Sequence, residues 1–398
     1  TARGIRCSPI HQALIDRGAV MGELAGWERP NWFARDNQPA EYQYSYGRQN
    51  WFDNCRKECL AVRDGVALFD QTSYPVFQVK GPDATMALNM ICANNIDVAV
   101  DRIVYTQWLN ERGGIEADVT ITRLASDEFM VVSSCATENR DFLWLRRHIP
   151  SELRVSVINV SDDYAMYGLM GPHSRELLQR LTDMPIDNNS MPFFSSRELQ
   201  IGSATIRANR LTYVGELGYE LYIPSGLAQE IFELLWEEGQ QHGLTLAGFH
   251  AMNSCRLEKS YKHMGHDISD DINPYVSGLG FAVDMDKDNF IGKSALSSLE
   301  RPLKRRLVNL AIKHDEAPLM IHDEPVWLNN EMIGLTTSAM WGHRINRSLA
   351  IALISHPDGV NRSFLEQDEF SVEVAKKRYP IELRLSPFYD PKSLRVKG

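Results

Sequence analysis

Residues 211–223 read L-T-Y-V-G-E-L-G-Y-E-L-Y-I. As an extended strand, this stretch places Glu220 and Tyr222 on one face, because side chains alternate with a period of two. Tyr213 has the opposite parity. It joins them only if the Gly215–Gly218 stretch turns the chain back. A carboxylate held between aromatic rings suits a flat heterocycle with N–H donors, such as a pterin. The plainer alternative is a surface acid on an amphipathic strand. A partly buried acid between Tyr219 and Leu221 needs a partner.

A second segment, residues 110–119, reads N-E-R-G-G-I-E-A-D-V. A Gly-Gly turn leads to one carboxylate, Asp118, followed by V-T-I-T. Two readings stand. One is a hairpin turn with an exposed acid. In the other, the glycine pair lets the backbone approach a ligand closely, and Asp118 sits beside a reacting nitrogen. Tyr105, two residues before Gln107 on the strand entering the turn, is either a core aromatic or a ring stacked on that ligand.

Working outward, a faint repeat appears. V-K-G-P-D-A at 79–84 and L-M-G-P-H-S at 169–174 each carry a strand into Gly-Pro and then an amphipathic helix. Proline is tolerated at the first helical position, where its missing N–H has no partner to lose. Two strand–helix units of one kind predict two related α+β layers. Helices are expected near 11–17, 51–63 and 227–242, with another inside 244–261. Strands are expected at 65–70, 103–109, 128–133 and 204–210. A shift near 301–306, where P-L-K-R-R follows S-S-L-E-R, marks a boundary. Beyond it, short strands at 306–312, 324–328, 332–337, 348–354, 370–374 and 379–385 predict a small β-barrel or sandwich. The organisation read from this is an N-terminal arm at 1–50, α+β domains at 51–300 and a C-terminal β-barrel at 301–398.

The 398 residues are too many for one ordinary core. The net charge of −10 and pI near 5.6 disfavour nucleic acid and acidic membranes as partners. An anionic small ligand stays open, because local Arg and Lys override the net field. No apolar run reaches membrane-spanning length, and the N-terminus has no secretory h-region. A start at Thr1 fits loss of an initiator Met, and equally a domain from a longer polypeptide. Six cysteines, with no C-x-x-C, do not make a disulfide scaffold and point to a reducing compartment. Cys55 and Cys59, four apart on a helix, read as a packed face. H-M-G-H-D at 263–267 reads as a polar-capped turn rather than a metal site, and no metal site is expected. No dinucleotide fingerprint, P-loop or nucleophile elbow occurs.

These segments together resemble the aminomethyltransferase (glycine cleavage T-protein) family. They are nearest to the C-terminal, folate-binding half of dimethylglycine and sarcosine dehydrogenases. The likeness is carried by G-W-E-R-P-N-W-F at 26–33, L-N-E-R-G-G-I-E-A-D at 109–118, Y-V-G-E-L-G-Y-E-L-Y at 213–222 and R-L-E-K-S-Y-K-H-M-G-H-D-I at 256–268. L-G-F-A-V at 279–283, F-I-G-K-S-A-L at 290–296 and S-P-F-Y-D-P at 386–391 extend it over nearly the whole chain. The resemblance implies an α+β, three-domain cloverleaf with tetrahydrofolate in its centre. It implies that Asp118 matches the catalytic aspartate, that Tyr213 and Glu220, Leu221 and Tyr222 match the pterin-contacting segment, and that Phe281 matches an aromatic near the folate. One departure stands out. The T-protein pattern has an Arg four residues before R-L-E, and this chain has Met252.

The expected activity is tetrahydrofolate-dependent transfer of a one-carbon unit from a small methylated donor, or from its iminium or formaldehyde product. A flavoprotein domain or subunit is the expected partner of such a reaction. The alternatives are a T-protein aminomethyltransferase, a stand-alone demethylase of another methylated compound, or a regulatory subunit keeping the fold without the chemistry. The expected location is the cytoplasm, or the mitochondrial matrix of a eukaryote.

Overall fold

A computed structural model describes residues 3–45, 47–314, 317–367 and 369–398. Two antiparallel sheets and a barrel organise the chain. The first sheet runs Ile103–Leu109, Ile115–Ala125, Glu128–Val132, Val76–Lys80, Ser156–Asn159 in spatial order. The second runs Ser196–Ile201, Ala204–Asn209, Gly218–Pro224, Tyr164–Met170, Ala67–Asp70, Thr245–Leu246, and only its last pairing is parallel. Each sheet buries one face under helices. Leu88 and Ile91 of helix Ala84–Ile91 and Leu145 of Glu138–His148 pack on Phe77, Val79, Val104 and Ile121. Leu177 of helix Ser174–Arg180 and Ile231, Phe232 and Leu235 of Ala228–Gln241 pack on Tyr167, Leu169 and Leu221.

The two repeated units are both present, as Val76–Lys80 with Ala84–Ile91 and Tyr164–Met170 with Ser174–Arg180. At each junction a glycine is required. Gly81 and Gly171 have φ of 146° and 127°, and an added Cβ would lie 2.1 Å from the Arg154 carbonyl oxygen or 2.4 Å from that of Gly65. The prolines sit two residues earlier than expected. The N-caps are Asp83 and His173, so Pro82 and Pro172 occupy the turn ahead of the helix rather than its first residue.

The stretch read as an extended arm forms a hairpin, Ala19–Leu24 with Trp27–Phe33. Trp27, Trp32 and Phe33 are all buried, and burying rings of that size removes far more apolar surface than a solvated arm could. Trp32 joins the core of helices Phe52–Asp64 and Phe249–Glu258. Gly248 admits it closely, since a Cβ there would meet the Trp32 nitrogen at 2.5 Å.

The C-terminal strands close into a six-stranded barrel in the order Arg305–Ile312, Arg347–Ser355, Glu331–Gly342, Pro325–Leu328, Phe370–Val374, Lys377–Arg384. The expected barrel is therefore correct, and so is the α+β class. Strand Arg305–Ile312 is apolar on both faces because both are buried. Val308, Leu310 and Ile312 fill the barrel, while Leu307 and Ala311 pack outward on the core around helix Phe249–Glu258.

A buried ion network joins these layers. The Arg63 guanidinium donates to Glu258 at 2.7 Å and to Glu216 at 3.1 Å. Glu216 also accepts from the Tyr389 hydroxyl at 2.6 Å and from Arg395 at 2.7 Å. Glu216, an acid from the opening stretch, is thus a structural tie to the C-terminal S-P-F-Y-D-P segment.

Candidate active site between the facing sheets

The uncovered faces of the two sheets meet. Val76, Met130 and Val132 of the first form one apolar cluster with Met166 and Tyr222 of the second. Backbone bonds from Ile103 N to Phe194 O (3.0 Å) and from Ser196 N to Asp101 O (2.8 Å) stitch the edges together. Asn209 Nδ2 donates across the gap to Thr122 Oγ1 at 3.0 Å.

Strand parity decides which groups reach this interface. In the first sheet, Gln107 pairs with Asp118 and Tyr105 with Thr120, so all four share one face. Their neighbours Val104, Trp108, Ala117 and Val119 point the other way into the helix-covered core. Gln107 Nε2 donates to Asp118 Oδ1 at 2.9 Å. Tyr105, on the same face, also favours the ionised form of that carboxylate. Burial still dominates and raises Asp118 from 3.8 to about 6. Tyr105 stacks against Phe281, whose ring lies 6.1 Å away at 31° and is 75 % exposed.

In the second sheet, Asn209 pairs with Glu220, and Glu220 and Tyr222 share the interface side. Glu220 is 6 % exposed and accepts from the Tyr222 hydroxyl at 2.8 Å. Burial raises it from 4.5 to about 7, against that one donor. Leu221 does not join them. Its side chain lies on the opposite face with Tyr167, Leu169 and Phe232, so only its backbone borders the site. The period of two that selects Glu220 and Tyr222 excludes Leu221.

Tyr213 precedes the strand, which begins at Gly218. The turn back occurs at Gly215, with φ 85°, where an added Cβ would sit 2.0 Å from the Lys259 side chain. The Tyr213 hydroxyl donates to the Lys262 carbonyl at 2.7 Å, and its ring stacks on Tyr261 at 6.1 Å. Tyr74 and Asp118 both act on it electrostatically, and Glu220 acts on Tyr74.

The Gly-Gly turn has another reason than ligand approach. A Cβ on Gly114 would lie 1.7 Å from the Asp270 carbonyl oxygen, and one on Gly113 would lie 3.1 Å from Leu296. Ile115 N donates to the carbonyls of Ser269 (3.1 Å) and Ile272 (3.0 Å). The glycines admit the chain itself, and that contact fixes the strand carrying Asp118.

Asp267 of the H-x-x-H-D run is taken up by Arg256 at 2.8 Å, His263 N at 2.9 Å, Thr337 at 2.5 Å and Ser338 at 2.7 Å. It anchors a turn. Sequence reasoning passed over Asn209, Thr122, Tyr74 and Arg29. The Arg29 guanidinium lies 3.7 Å from the Phe249 ring centroid, and among the described residues no carboxylate pairs with it. The Asn209 Oδ1 and Gln107 Oε1 atoms are buried without a partner among the described residues. A signal for one of them was present. D-x-T-x-T at 118–122, which ends on Thr122, alternates polar with apolar residues, the pattern of a strand with one polar face.

The fold is that of two α+β layers sharing a polar interface and capped by a barrel, with an acid on each facing sheet. The GCVT N-terminal domain model matches residues 10–287, and the glycine cleavage T-protein C-terminal barrel domain model matches 305–390. The chain belongs to the glycine cleavage T-protein family. It is 40% identical to 4-methylaminobutanoate oxidase (formaldehyde-forming) of Paenarthrobacter nicotinovorans over 100% of this chain and 48% of that protein. It is 30% identical to human mitochondrial sarcosine dehydrogenase, again over 100% of this chain and 48% of that one. The chain therefore spans about half the length of these curated relatives. Its fold matches the glycine cleavage aminomethyltransferase T of Bartonella henselae with a TM-score of 0.82 at 24% identity, covering 98% of this chain and 99% of that one. Among the described residues, no helix is long and apolar enough to cross a membrane.

Proposed function

We propose that this chain transfers a one-carbon unit from a methylated amine, or from its iminium or formaldehyde product, to tetrahydrofolate held between the two sheets. The observation that carries this reading is a surplus of buried acceptors. The Glu220 carboxylate has a single donor, and Asn209 Oδ1 and Gln107 Oε1 have none. Buried acceptors of this kind call for donors. A reduced pterin edge presents amide and amino N–H groups, so the residues fit the ligand.

Glu220 would accept from the pterin edge, Tyr222 would hold that carboxylate in place, and Tyr105 with Phe281 would cover the ring plane. When bound, tetrahydrofolate supplies the nitrogen nucleophile that takes the carbon. Asp118 is fixed by Gln107, and burial raises its pKa to about 6. At neutral pH it is mostly ionised, able to accept a proton from the reacting amine or to offset positive charge on an iminium carbon. An oxidation that releases such a carbon would belong to a flavoprotein domain or subunit. The two longer relatives, an oxidase that forms formaldehyde and a sarcosine dehydrogenase, both name methylamino substrates.

Met252 counts against the T-protein alternative. It is buried and receives the Tyr74 hydroxyl on its sulfur at 3.8 Å, so it offers no charge where the T-protein pattern has Arg. The six cysteines are free thiols, which suits a reducing compartment such as the cytoplasm or the mitochondrial matrix.

The test is calorimetric titration with tetrahydrofolate, followed by single-turnover capture of formaldehyde. Saturable binding with carbon transfer is expected. Absence of binding near millimolar ligand would overturn the reading.

A further inference from the structure

Three metal-ligand side chains gather away from the proposed active site, with a further thiol beside them. Cys55 and Cys59 lie four apart on helix Phe52–Asp64, which puts both thiols on one face. His343 follows barrel strand Glu331–Gly342. One ligand atom from each of these three residues lies within 4.8 Å of the others, and the two sulfurs are 4.0 Å apart. Cys255, from helix Phe249–Glu258, is buried beside Cys59 and acts on it, outside that 4.8 Å group. All four side chains are buried, and His343 is 6 % exposed.

The unexplained atom is His343 Nε2. It is buried and has no hydrogen-bond partner among the described residues. A buried imidazole nitrogen left unpaired costs free energy, and the groups beside it are thiols. The thiols themselves make only weak contacts, with each other and, from Cys59, with the Ala251 carbonyl at 3.7 Å.

We propose that Cys55, Cys59 and His343, joined by Cys255 on binding, form a structural site for a thiophilic divalent cation, Zn(II), that clamps the barrel onto two helices of the α+β region. Three thiolates and one imidazole are a recognised structural zinc set. With Zn–S bonds of about 2.3 Å, sulfurs at tetrahedral corners lie about 3.8 Å apart, close to the present 4.0 Å. The imidazole and the Cys255 thiol have to close in on the Cys55–Cys59 pair by side-chain rotation. Binding displaces three thiol protons and gives a cluster of net charge −1. Arg48 and Arg56 act on His343 and Arg63 on Cys255, which sets three cations against that charge and the nearby Glu58 and Glu258. The enclosed position means that metal enters as the chain folds, so metal binding and folding are coupled.

The test uses the full chain, purified with a reductant, and reads zinc by elemental analysis. A second sample is unfolded with a chelator and refolded with and without Zn(II), and Co(II) serves as a spectroscopic probe. The expected result is one equivalent of zinc per chain, a thiolate-to-cobalt charge-transfer band in the Co(II) form, and a higher melting temperature when refolding includes Zn(II). His343→Gln keeps the thiols and is expected to lower zinc affinity at least about tenfold, while Cys59→Ala is expected to abolish the cobalt band. If either variant fails to fold, the wild-type stoichiometry and cobalt spectrum decide alone. Zinc below a tenth of an equivalent in the wild type, with no cobalt–thiolate band, overturns the proposal. So does unchanged affinity in a folded His343→Gln variant.

Discussion

Replacing Glu220 by Gln should stabilise the ligand-free protein at alkaline pH and weaken its grip on folate. The magnitude follows from the site. Glu220 is almost fully buried with one hydroxyl donor, and its folded pKa is about 7 against 4.5. The folded state therefore holds the proton more tightly than the unfolded chain does. Below pH 4.5 both states are protonated and Glu220 adds no pH dependence. Between pH 4.5 and 7, folding stability falls by about 1.4 kcal/mol per pH unit. Above pH 7 the loss levels off near 3 kcal/mol, an upper figure because the unfolded reference is idealised. A glutamine keeps the shape and can still accept from Tyr222, but it carries no charge to desolvate. Urea unfolding of both proteins should give nearly equal stabilities at pH 4.5 and a more stable variant at pH 8, by up to about 3 kcal/mol. Folate affinity at pH 8 should fall by about 1–3 kcal/mol, because the charged acceptor is gone. An offset that is the same at both pH values would refute the claim that a buried carboxylate is the cause. Higher stability with undiminished affinity would leave Glu220 outside the folate site.

Asp118→Asn should lower single-turnover carbon transfer by roughly 10²–10³ and change folate affinity, measured by calorimetry, far less. Equal losses in both would make Asp118 a binding residue instead. Gly114→Ala places a Cβ 1.7 Å from the Asp270 carbonyl oxygen, so it should destabilise by about 1–3 kcal/mol in urea unfolding. A neutral outcome would show that the turn at 113–114 yields without affecting the 268–272 segment. Glu216→Ala strands Arg63 and Arg395 beside a buried hole and should cost about 3–5 kcal/mol. A loss under 1 kcal/mol would mean that Glu258 alone satisfies Arg63.

The sequence by itself determined much of this protein, where the information is local. The turn residues and apolar alternation after residue 305 define the barrel strands, and the edges at 370–374 are found as expected. The two Gly-Pro junctions reveal the repeat because the φ values at Gly81 and Gly171 favour glycine. Period two also separates Glu220 and Tyr222 from Leu221, once each residue is assigned to its own face. What the sequence could not contain is which faces meet. Asn209 becomes a candidate site residue only because the edges at Ile103 and Phe194 are stitched together, bringing it opposite Thr122. Glu216 and Glu220, four residues apart in the same stretch, have opposite fates for the same reason. Glu216 lies in the turn that Gly215 opens and Glu220 in the strand that begins at Gly218, so Glu216 meets Arg63, Tyr389 and Arg395 while Glu220 faces the first sheet. Cys55 and Cys59 look like an ordinary packed helix face until the barrel brings His343 beside them, from nearly three hundred residues away. Local propensity and side-chain parity act over a few residues and survive in any context. Burial, pKa shifts and ligand geometry depend on contacts between segments distant in sequence, and those exist only once the tertiary structure forms.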